Sequence, residues 1–221
     1  VQRCLIFLVL CACARTAPAE ATPAVEPPTP VAKLMGKHFL RAREAMDLII
    51  AGDLETTRAA LAEVRDHHVP DVPDAWVPML ADVRATADEG AAATNIGEAV
   101  AAVARLAEAC GACHTRHGGG PIPEEMLLPP LDGMARHRWT TDMMWLGLLT
   151  PSDLAWRAGA SELASRGVSP GSQPIEEERL ARWRPVVEKA ATAAVEAEVP
   201  ARRADALAEV MAACAGCHRD R

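Results

Sequence analysis

Four of the seven cysteines fall in two copies of one pattern, Cys110-Gly-Ala-Cys113-His114 and Cys214-Ala-Gly-Cys217-His218. Residues three and four apart share a helix face, so each pattern presents two thiols and an imidazole side by side. That set is the attachment pattern of c-type haem. Each thiol adds across a porphyrin vinyl group, and the adjacent histidine binds the iron from one side. Cys110, Cys113, Cys214 and Cys217 are therefore the expected attachment points of two covalent haem c groups, with His114 and His218 as proximal iron ligands. Paired Cys-x-x-Cys sequences also build zinc sites. Here about a hundred residues separate the pairs and each has its own histidine, which argues against one shared zinc ion. A redox dithiol would need a thioredoxin-like βαβ context, and none is legible.

The elements that must hold these groups occur twice. Met35-Gly-Lys-His38 matches Met134-Ala-Arg-His137 at an offset of 99, and Asp53-Leu54 matches Asp153-Leu154 at 100. The two cysteine motifs match at 104, and Trp76-Val-Pro78 matches Trp183-Arg-Pro185 at 107. Anchors in one order with slowly drifting offsets indicate a duplicated unit. Each unit divides into four apolar-periodic stretches, expected as helices over 31–51, 54–67, 75–92 and from Thr94 or Asn95 into the first motif. The second set is expected over 133–149, 152–165, 176–197 and 201–218. Four helices with short loops favour an up-down bundle. The expectation is thus an all-α chain of two tandem four-helix up-down bundles, each binding one covalent haem c, over 31–118 and 131–221 with a linker at 119–130.

Composition agrees. Half of the residues are hydrophobic, with Ala dominant, no Tyr and two Phe, which suits helices rather than sheets. The net charge of −7 lacks the basic footprint of a nucleic-acid binder; spread along the helices it reads as a solvated surface, with an acidic docking face for a basic redox partner as the sharper alternative. Residues 1–19 read as an export or lipoprotein signal, followed by a Pro/Ala-rich linker over 20–30. The apolar run is too short for an ordinary membrane span. Leu10-Cys-Ala-Cys13 resembles a lipobox, which gives a lipid anchor at Cys13, and Ala17-Pro-Ala19 offers cleavage by ordinary signal peptidase instead. Either route places the mature chain in the periplasm or on the outer face of a bacterial membrane, where haem attachment takes place.

A four-helix unit ending in Cys-x-x-Cys-His, with Thr141-Asp-Met-Met-Trp-Leu-Gly-Leu-Leu149 as a first helix, resembles the cytochrome c-prime family, the class II c-type cytochromes. The resemblance runs as two copies from about Val31 to Arg221, whereas most members of the family carry one haem. It implies that the position opposite each proximal histidine lies on helix one. There His38 and His137 are the expected distal ligands, Met35 and Met134 are the alternatives at i−3, and an open iron is a third. Filled positions imply an exported single-electron carrier serving redox partner proteins, some of them membrane-bound, and the family often forms homodimers. An open position implies a binder or sensor of nitric oxide or carbon monoxide. No separate catalytic residues stand out for a dihaem peroxidase. His67-His68 reads as a solvated helix end, His117 and Arg116 as surface, and Met143, Met144 and Trp145 as core.

Overall fold

Eight α-helices and two 3₁₀ turns make up the residues that this computed structural model describes, 30–68, 72–118, 124–130, 133–168 and 177–220. The helices are α1 (Pro30–Ile50), α2 (Leu54–Asp66), α3 (Val77–Ala91), α4 (Ile96–His117), α5 (Gly133–Leu149), α6 (Asp153–Arg166), α7 (Glu177–Glu196) and α8 (Pro200–Arg219). The turns are Asp74–Trp76 and Glu124–Leu127. No strand occurs among the described residues, and every expected helix is present with ends within a turn of its expected place. The expected signal segment 1–19 lies outside the described residues, as do 20–29 of the expected linker.

Local chemistry sets the boundaries. Gly52 ends α1 at φ +81°, in the left-handed region that side chains disfavour. Asp53 then caps α2 by accepting from the Thr56 N–H at 3.0 Å. Asn95 caps α4 through the Glu98 N–H, and the Glu98 carboxylate reaches back to the Thr94 N–H at 2.7 Å, completing a reciprocal cap. Ser152 caps α6, and Pro200 opens α8, where its missing N–H costs nothing. The repeated Trp-x-Pro sequence serves two settings. Pro78 lies in the first turn of α3, but Pro185 lies inside α7.

Packing follows chain order twice. α1 packs on α2, α2 on α3 and α3 on α4; α5 packs on α6, α6 on α7 and α7 on α8. The first and last helix of each series also touch, α1 with α4 and α5 with α8. The two series join through α4 on α8, with α4 also on α5 and α1 also on α8. α1 buries one stripe (Ala42, Ala45, Met46 and Ile49), as a surface helix does. α4 buries Ala99, Val100, Ala102, Val103, Ala104, Leu106 and Ala107, more than one face, because it has neighbours on both sides. The apolar core is accordingly continuous from Ala42 to Cys214 rather than split between the halves.

Polar ties fix the helix pairs. The buried Trp156 indole donates to the Ala194 carbonyl at 3.0 Å, joining α6 to α7. Arg203 on α8 lies over the Trp156 ring at 5.5 Å, donates to the Ala197 carbonyl and pairs with Asp153 at 2.7 Å. Its buried charge is thereby compensated. Between the halves, Arg43 pairs with Asp142 at 2.8 Å and Arg138 with Asp47 at 2.8 Å, linking α1 to α5.

Candidate functional site

α1, α3 and α4 leave a cleft of about 500 Å³ between them, within the ~300–1,000 Å³ of small-molecule and cofactor pockets. Cys110, Cys113 and His114 from the last turns of α4 form one wall. Met35, His38, Phe39 and Ala42 from α1 line it too. Met79, Leu80 and Val83 from α3, with Trp76 before it, supply apolar surface, and Leu149 from α5 reaches in from the other half. Helical spacing explains the wall, since the two cysteines and His114 are one turn apart on a single helix.

Burial holds Cys110, Cys113 and His38 of this cleft neutral. Burial pushes the Cys110 thiol up to about 12, with a smaller contribution from the neighbouring Cys113. Burial also raises the Cys113 thiol. His38 is brought down to about 4 by burial, then by the charges of His67 and Arg84, so its ring is neutral at pH 7. Its Nε2 has no hydrogen-bond partner. His114 Nδ1 lies 2.7 Å from the Leu149 carbonyl oxygen. A carbonyl only accepts, so Nδ1 carries a proton, and in the neutral ring Nε2 is the nitrogen that has the lone pair. Metal-bound histidines are oriented in this way by a partner on the other ring nitrogen.

The second motif sits in tighter surroundings. Cys214 and Cys217 are buried, and burial pushes the Cys214 thiol up to about 12. Cys214 Sγ lies 4.0 Å from His137 Nε2 across the α5–α8 contact. His137 is lowered to about 4 by burial and by His218, and its Nδ1 has no hydrogen-bond partner. His137 and His218 share a cavity of about 310 Å³ with Arg138 and Thr141 of α5 and with Asp47, Ile50 and Ala51 of the first half. Trp183 packs on Gly216, where a Cβ would meet the indole ring. The first motif has Ala112 at the matching position, and Trp76 instead lines the open cleft.

The structure thus brings Cys110, Cys113, His114, His38 and Met35 around one cleft, and His137 and His218 around a second, smaller space whose lining includes neither Cys214, which lies 4.0 Å from His137, nor Cys217. The Met134 side chain lies outside what is described. Met143, Met144 and Trp145 are buried core, as expected. Two histidines differ from expectation. His67 is half-buried, its ring 4.5 Å from that of His38 in an edge-on contact, rather than a solvated helix end; only His68 is exposed. His117 is not on the open surface. It lines the first cleft with its ring 5.4 Å from Trp76. One signal was available for it, since α4 carries His117 three residues beyond His114 and so on nearly the same face.

Among the described residues, no three His, Cys, Asp or Glu side chains gather as a metal cage requires. A porphyrin supplies four of the ligands to its own iron, so one or two axial side chains suffice there. Comparison with family models, with curated proteins and with solved structures gave no match to this chain.

Proposed function

We propose that the chain is an exported dihaem c-type cytochrome of the class II kind, built as two tandem four-helix bundles that each hold one covalent haem and carrying single electrons between partner proteins. The observation that carries this reading is the first cleft, where both thiols, a lone-pair Nε2 on His114 and an unpartnered Nε2 on His38 meet within apolar walls. The donor set fits haem. Neutral thiols facing an apolar cleft suit addition across vinyl groups, in which S–H and C=C bonds are exchanged for C–S and C–H bonds. The apolar walls suit a flat hydrophobic macrocycle.

In this reading Cys110 and Cys113 would hold the first haem, with His114 and His38 as the side chains that would ligate its iron. Cys214 and Cys217 would hold the second, with His218 and His137 as the side chains that would ligate its iron. When bound, haem supplies a one-electron ferric/ferrous couple. The protein keeps His38 and His137 neutral by burial, orients His114 through the Leu149 carbonyl, and its net negative charge suits a basic partner. Export to the periplasm or outer membrane face belongs to the same reading, because attachment takes place there.

The test is an absorption spectrum of the reduced protein with and without carbon monoxide. Two low-spin haems whose bands the gas leaves unchanged support the carrier. Rapid binding of the gas at either haem contradicts filled axial positions and favours the sensor.

A further inference from the structure

We propose that the second half of the chain sets the reduction potential of the first haem, through the hydrogen bond from His114 Nδ1 to the backbone carbonyl of Leu149; this rests on the dihaem reading. The bond is 2.7 Å long and joins the end of α4 to the last residue of α5. The acceptor is well suited. A helix cannot satisfy its last four carbonyls internally, and they carry the negative end of its dipole. At this end of α5 the Leu146 carbonyl already accepts from the Thr150 N–H at 2.8 Å, and that of Gly147 from the Ser152 N–H at 2.9 Å. The Leu149 carbonyl is taken by His114.

The approach depends on one glycine inside the first motif. A Cβ at Gly111 would collide with the Leu148 carbonyl oxygen, so only glycine lets α4 come this close to the end of α5. The second motif has Ala215 at the matching position, and there the small residue is on the other partner. Gly52 at the end of α1 packs against Arg219, with the Ala215 carbonyl 3.4 Å from where its Cβ would lie. His218 in turn shares its cavity with Ile50 and Ala51 of that same α1 end. Each motif is thus seated on the C-terminal end of the other half's first helix, and the close approach is made on opposite partners in the two cases.

An N–H···O bond at Nδ1 raises the basicity of the imidazole toward iron, favours the ferric state and lowers the potential. Weakening the bond therefore raises the potential of the first haem alone. The experiment is redox titration of the full-length dihaem protein and of Gly111→Ala, with Ala112→Ser as a control at the exposed neighbouring position. In Gly111→Ala one of the two one-electron waves is expected to move up by roughly tenfold in its equilibrium, about 59 mV, with the other wave unmoved. Ala112→Ser should leave both in place. Two unmoved waves in Gly111→Ala, or an equal shift in the control, overturn the proposal. Failure of the dihaem reading looks different, since no covalent haem would be found in any variant. Should Gly111→Ala not fold, hydrogen exchange in the reduced wild-type protein decides the matter. A slowly exchanging Nδ1 proton on His114 is expected, and exchange at the rate of free imidazole overturns the proposal.

Discussion

On the dihaem reading, replacing Cys110, Cys113 and His114 together by alanine should leave the first cleft empty of haem, and the cost can be worked from the cleft itself. At about 24 cal/mol per Å³ of residual cavity, a dry and closed space of about 500 Å³ would cost about 12 kcal/mol. The cleft is not closed, so water can fill part of the emptied space, and about half of that figure is the appropriate estimate. A loss of about 6 kcal/mol is comparable to the whole stability of many domains. For a chain of 221 residues it lowers the melting midpoint by about 12–24 °C. Helix content followed by far-ultraviolet circular dichroism during heating measures it. Hydrogen exchange should place the loosened amides in α1, α3 and α4, the helices lining the cleft. A variant that melts within a few degrees of the intact protein would refute the argument that the cofactor completes this core.

Three further outcomes follow from particular contacts. In the haem-free chain, burial holds His137 at about 4 against an ordinary 6.5. The unfolded chain therefore takes up the proton first, and stability present above pH 6.5 is lost as pH falls toward 4, by about 3 kcal/mol for a shift of this size. Urea midpoints measured across that window should slope accordingly, and His137→Gln should flatten the slope. Asp142→Ala removes the partner of Arg43 across the halves, the Asp142 carboxylate at 2.8 Å, and leaves it only Asp47 at 3.6 Å among the ion pairs of the described residues. Both side chains are mostly buried, so a loss of about 1–3 kcal/mol is expected in urea unfolding. On the same dihaem reading, His38→Ala should open the first iron, and carbon monoxide should then shift the reduced spectrum of one haem of the two. An unaltered spectrum without the gas would remove His38 as a ligand.

Much of this arrangement is legible in the sequence. The spacing of Cys110, Cys113 and His114 fixes one wall of the cleft, because three- and four-residue steps on a helix admit no other placement. The cap at Asp53 and the stop at Gly52 are read directly from residue type, while at α4 residue type leaves Thr94 and Asn95 and the structure caps with Asn95. Contacts between distant segments are not legible in this way. Nothing local to His114 announces that its ring donates to Leu149, a residue of the other half. His67 follows the last turn of α2 with polar neighbours, and only the crossing of α1 and α2 brings it against His38. The role of Gly111 is hidden for the same reason, since its need for a missing side chain comes from the Leu148 carbonyl and not from its own helix. The continuous core also escapes a reading by repeats. A periodic pattern shows which faces are apolar, but not that α4 and α8 cover one another.

The central claim is most directly tested by the intact mass of the denatured protein after expression in a bacterial host that attaches c-type haem. The account predicts a mass increased by two haems, falling by one when Cys110 and Cys113 are replaced and by the other when Cys214 and Cys217 are replaced. A protein that folds and carries no covalent haem under those conditions would contradict it.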